Sequence, residues 1–123
     1  MQLKIGSKEY QIHIGLAALE YLNKVYTMDL EGVEVGFALN KLYIDINLKN
    51  VLAIANFIKA GTITEAQKPS NEDIENFIGG MDIKKQDDFF EEIKSFLGKS
   101  PLTKARWGMI DQTVKENTKA KKD

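Results

Sequence analysis

Few residues in this chain could do chemistry, and their spacing points away from it. The single histidine, His13, alternates with Ile12 and Ile14 in a strand-like run, so it faces away from them, toward solvent. No Ser or Cys pattern partners it in a nucleophilic triad. Asp82, Asp87, Asp88, Glu91 and Glu92 crowd one stretch, and paired carboxylates can hold a divalent cation or act as acid and base. They lack the acidic and Asn pattern of a calcium loop and read as a solvated helix face. Gly79-Gly80 is not followed by the Gly, Lys and Ser or Thr of a phosphate cradle, so it reads as a helix stop. Cysteine is absent, which excludes thiolate catalysis, Cys-ligated zinc and a disulfide scaffold. The expectation is a chain without catalytic residues, metal or cofactor, whose work is binding.

Composition agrees. The 123 residues are enough for one core that buries about two-thirds of the surface of the unfolded chain. Seventeen basic against 18 acidic residues leave a net charge of -1, which argues against a protein built to grip nucleic acid or an anionic membrane. The basic stretch from Lys115 to Lys122 is diluted by Glu116 and Asp123 and carries no aromatic residue for base stacking. No run is long enough to span a membrane, and Met1 to Lys4 open a strand pattern and not a signal peptide. A soluble cytoplasmic protein is expected.

The elements that would position any site follow from periodicity. Met1, Leu3 and Ile5 alternate outward, Gly6-Ser7 can turn, and Tyr10, Ile12 and Ile14 alternate back, which predicts a hairpin with Leu3 opposite Tyr10 and Ile5 opposite Lys8. From Gly15 to about Met28 the period becomes helical, with Leu16, Leu19, Leu22 and Tyr26 on one stripe. An acidic connection, Asp29 to Gly32, separates it from a second helix over about Val35 to Leu48. A third helix starts at the N-cap Asn50, is apolar nearly all round, and ends at Ala60-Gly61-Thr62, so it should lie centrally. Ser70 caps a fourth, which carries Ile74, Phe77 and Ile78. Asp82 caps a fifth, with Ile83, Phe89, Phe90, Ile93, Phe96 and Leu97 on its stripe and Gly98 as a left-handed stop. The fold class is α+β: an N-terminal β-hairpin followed by about five α-helices, mostly helical. Residues 1–107 form the domain, and residues 108–123 form a polar basic tail expected to be disordered in isolation.

Trp107, the only Trp, follows a strong helix stop and Pro101, where the core should already be complete. It either folds back as a lid or is presented to a partner. Leu102, Trp107, Met109 and Ile110 are therefore the candidate partner-binding residues.

In order and spacing, five segments resemble the tail assembly chaperones of long-tailed phages and prophages of Gram-positive bacteria. They are Leu3 to Tyr10, Gly32 to Ala38, Asn50 to Thr62, Lys68-Pro69-Ser70, and Lys99 to Lys104. The resemblance spans about Met1 to Trp107; His13 and the chain beyond Trp107 depart from it. It implies a protein of the host cytoplasm that binds the tape measure protein, keeps it soluble, helps the tail tube assemble around it, and leaves before the virion matures; a homo-oligomer is expected from the unpaired edge of the hairpin and from the need to coat a long client. A longer frameshifted form is a further implication, and the adjacent Lys121 and Lys122 fit the adenine run a slippery site favours. Absence of a slippery heptamer from those codons and from the rest of the gene near the stop would exclude that form. The rival readings are a head-tail connector or tail-completion protein retained in the virion, and a small regulator of host DNA or of a host enzyme.

Overall fold

Apolar and polar residues alternate at the N-terminus and build β1 (Gln2–Ile5) and β2 (Lys8–Gln11). These pair antiparallel with Leu3 opposite Tyr10 and Ile5 opposite Lys8, the register the sequence predicts. The turn needs a positive φ, which Gly6 supplies at 65°. Leu3, Ile5, Tyr10, Ile12 and Ile14 are all buried, whereas His13 is exposed. The structure, a computed structural model, describes residues 1–122, with side chains described for all of these except residues 34, 35 and 118–122.

Among the described residues there are six helices: α1 (Leu16–Val25), α2 (Ala38–Asn47), α3 (Val51–Gly61), α4 (Asn71–Gly79), α5 (Ile83–Lys99) and α6 (Lys104–Lys122). The chain is thus α+β and mostly helical. Helix α3 is the hub, with Ala53, Ile54, Phe57, Ile58 and Ala60 buried and α1, α2 and α4 packed around it. The helix starts are those the caps predict. Asn50 accepts from the Leu52 N–H at 3.0 Å, Ser70 and Asp73 form a capping box, and Asp82 accepts from the Lys85 N–H at 2.8 Å.

The hairpin joins the hub at a glycine. The Gly61 carbonyl accepts from the His13 N–H at 3.0 Å, and a Cβ on Gly61 would stand 2.5 Å from Ile12 Cγ2. Only a residue without a side chain lets strand and helix approach so closely.

Three expectations are corrected. Residues 27–36 are neither the end of α1 nor the start of α2 but a second antiparallel ribbon, β3 (Thr27–Leu30) and β4 (Val33–Gly36). Its turn is Glu31-Gly32, with φ of 53° and 84°, the double positive φ of a tight hairpin. The Phe37 N–H closes its base on the Tyr26 carbonyl at 2.8 Å. Gly98 lies inside α5 and is not left-handed. Helix α5 stops at Ser100, φ -69° and ψ 136°, because a residue before proline is pushed out of the helical region. Leu16 and Ile83, placed on buried stripes, are 71% and 81% exposed, each being the first residue of its helix, where the stripe overhangs the core. The helix that contains Trp107 runs on through residues 108–122; its side chains beyond residue 117 lie outside the described residues.

Gly61→Ala should lower stability by about 1–3 kcal/mol, more than alanine's gain in helix propensity of roughly 1 kcal/mol recovers. A fall in the urea midpoint at unchanged m-value would show it; an unchanged midpoint would mean that Ile12 moves aside freely.

Candidate functional site

The site is built by the way α6 is laid onto the body. Between α5 and α6 the Thr103 hydroxyl donates to the Leu97 carbonyl at 2.6 Å and the Ser100 hydroxyl to the Phe96 carbonyl at 2.7 Å. The first satisfies the Leu97 carbonyl, which faces Pro101 and finds no N–H there; the second adds to the bond that the Phe96 carbonyl accepts from the Ser100 N–H. The connection directs α6 against α5 and α2. Trp107 then enters the core, 4% exposed, edge-on to Tyr43 with ring centroids 5.1 Å apart. Gly98 stands beside it, since a Cβ there would lie 3.7 Å from Trp107 Cδ1. Of the two readings of Trp107, the fold adopts the lid that closes over the body.

One turn later a polar clasp repeats the attachment. The Tyr43 hydroxyl donates to Asp111 Oδ1 at 2.7 Å, and Lys115 Nζ stands 2.9 Å from Asp111 Oδ2. The hydrogen bonds from Tyr43 and Lys115 hold the Asp111 carboxyl below its usual range, while burial, and then Asp111 itself, push the Tyr43 phenol up.

With α6 held this way, a groove of about 740 Å³ opens between it and the body. Met109, Ile110 and Val114 of α6 line one side, Leu19, Phe37 and Leu39 the other, and Arg106 is its cation. Met109 and Val114 are exposed and Ile110 is half-buried. The small Gly36 and Ala38 and the polar Asn23 along its wall leave it unfilled. The structure therefore brings Met109 and Ile110 together in one groove and sets Trp107 in the core. Leu102 lines a different, smaller hollow with exposed Leu16 and Pro101. Sequence reasoning missed Leu19, Phe37, Leu39 and Arg106 as groove residues. The first three carried only a helical, apolar signal, which marks core as readily as groove.

The acidic stretch is solvated and tied to lysines: Lys84 to Asp88 at 3.1 Å, Glu91 to Lys94 at 3.3 Å, Asp87 to Lys49 at 3.7 Å. Among the described residues no group of three or more His, Cys, Asp or Glu could hold a metal ion, and no helix is long and apolar enough to cross a membrane.

A small, mostly helical α+β domain with an open apolar groove has the build of a binding domain. Residues 2–112 match the family of phage tail assembly chaperone proteins, and the chain belongs to that family. The match passes Trp107 and ends just after Asp111, so it takes in both attachments of α6. No curated protein and no solved structure matches the chain.

Trp107→Ala should cost about 3–5 kcal/mol of stability, as for a buried aromatic. The clasp also makes the attachment of α6 sensitive to pH at both ends. Because Asp111 is held low, its contribution is present above the ordinary carboxylate range and is lost as acid protonates it. Because Tyr43 is held high, its contribution is present below the ordinary phenol range and fades as alkali ionises it. Urea unfolding at a series of pH values should show Asp111→Asn flattening the acid limb and shrinking the alkaline limb without abolishing it, since burial is the larger cause of the Tyr43 shift; an unaltered acid limb would remove Asp111 from this role.

Proposed function

We propose that this protein binds the apolar, helical tape measure protein of its phage in the host cytoplasm, keeps it from aggregating, and yields it to the polymerising tail tube, acting as a homo-oligomer. Membership of the tail assembly chaperone family supports this reading, and we take the groove under α6 as the client surface because it is open, apolar and lined in part by exposed side chains. A client helix with an apolar stripe would set one or two side chains between Met109 and Leu39, the helix-in-groove mode of recognition.

The magnitudes suit a chaperone that must let go. Burying one aliphatic side chain is worth about 1.5–3 kcal/mol, so one or two per copy give a dissociation constant on the order of 1 mM. Many copies along one client act together through high local concentration, yet each can be displaced as tube subunits arrive. A single deep, tight site would block assembly.

Met109→Asp should weaken capture of the tape measure protein in pull-down by at least roughly tenfold, about 1.4 kcal/mol, with the melting temperature unchanged because the side chain is exposed. Unaltered capture would remove the groove as the client site. Mass spectrometry of purified virions should find the chain missing; a stoichiometric amount would overturn the chaperone reading in favour of a retained connector.

A further inference from the structure

The β3–β4 ribbon is the part of the molecule least explained by the fold. All its described side chains are exposed, and the only element packed substantially against it is α1, at β4. An isolated two-stranded ribbon is marginal in water, so a ribbon that leaves its apolar side chains uncovered lacks a contact. Leu30 and Val33 are register partners and so lie side by side on one face; they are 49% and 61% exposed. Met28, two residues before Leu30 on the same face, is exposed as well.

Charge indicates what covers that face. Segment 27–36 holds Asp29, Glu31 and Glu34 and no basic residue, whereas segment 104–122 holds Lys104, Arg106, Lys115, Lys119, Lys121 and Lys122 against Asp111 and Glu116. A chain of net charge -1 thus concentrates acid at the ribbon and base on α6. Among the described residues, Asp29, Glu31, Lys104 and Arg106 enter no ion pair. Two ribbons pairing edge to edge would set like charges together, which disfavours that symmetric contact. The apolar groove rimmed by Arg106 matches the ribbon tip in both respects. A ribbon cannot fill the groove of its own molecule: Gly36 at its base lines that groove, and the paired strands carry the tip about 10 Å away at 3.4 Å per residue.

We propose that the tip of the β3–β4 ribbon docks in the groove beneath α6 of a second copy, with Leu30 and Val33 against its apolar lining and Glu31 facing Arg106. The contact is between unlike surfaces, and the ion pair orients it while the apolar pair supplies most of its strength. It also decides when the groove is free. Copies without client shield one another's grooves, and a client helix must displace a ribbon to enter. That consequence rests on the groove being the client site; the docking stands without it.

Sedimentation equilibrium of the full chain at low and high salt tests the docking. The wild type should self-associate, more weakly at high salt. Leu30→Asp, Glu31→Lys and Arg106→Glu should each raise the dissociation constant at least tenfold with unchanged circular dichroism, and Glu31→Lys combined with Arg106→Glu should restore association. Should Leu30→Asp disturb the ribbon, the charge-exchange pair alone decides the matter. A wild type monomeric at every concentration, single variants that associate like the wild type, or a double variant that stays dissociated would each overturn the proposal. Leu30→Asp and Glu31→Lys leave the groove intact, so tape measure capture by these variants reports on the client site independently.

Discussion

The seating of Trp107 against Tyr43 is the contact on which the candidate site depends. Helix α6 has little apolar surface of its own, and from Gln112 to Asn117 it is exposed and, Val114 apart, polar. Propensity alone would leave a helix of this composition marginal in water. One large aromatic in the core, followed a turn later by the Tyr43–Asp111 hydrogen bond, sets its azimuth. The azimuth in turn decides that Met109, Ile110 and Val114 overhang the start of α2 and the middle of α1. Rotation by a third of a turn would spread the same side chains over solvent, and there would be no groove.

The rest of the molecule is a platform for that arrangement. Helix α3 is buried along most of its length and supports α1, α2 and α4, and the N-terminal hairpin covers it through the close approach of Ile12 to Gly61. The second ribbon is anchored where the chain leaves α1 and enters α2. The side-chain amide oxygen of Asn23, Oδ1, accepts from the Ala38 N–H at 3.2 Å, which ties the end of one helix to the start of the next across the base of the ribbon. The ribbon base and the groove are therefore adjacent by construction, Gly36 belonging to both, while the tip is exposed and takes no part in the groove lining.

Much of this was legible in the sequence. The hairpin register, the caps at Asn50, Ser70 and Asp82, the central position of α3 and the solvated acidic face of α5 all follow from residues a few positions apart. The second ribbon was legible only in part. Glu31-Gly32 is a plausible turn, but Thr27 to Leu30 and Val33 to Gly36 are short and flanked by strong helical patterns, so a helical period extends over them from both sides. Gly98 misled in a different way, because Pro101 already ends α5 through Ser100, and the glycine instead gives Trp107 room.

What the sequence by itself determined is the N-terminal hairpin and its register, the helices capped at Asn50, Ser70 and Asp82 and where each begins, and that the chain carries surface and few reactive groups. Caps and periodic stripes act over three or four residues, and such interactions can be read from neighbours. What only the tertiary structure decided is that Trp107 is core, that Met109 and Ile110 share a groove with Leu19 and Leu39 while Leu102 does not, and that Arg106 rims it. Those facts depend on pairs such as Tyr43 and Asp111, 68 residues apart, and nothing local specifies how two distant helices rotate against each other until their side chains have to fit.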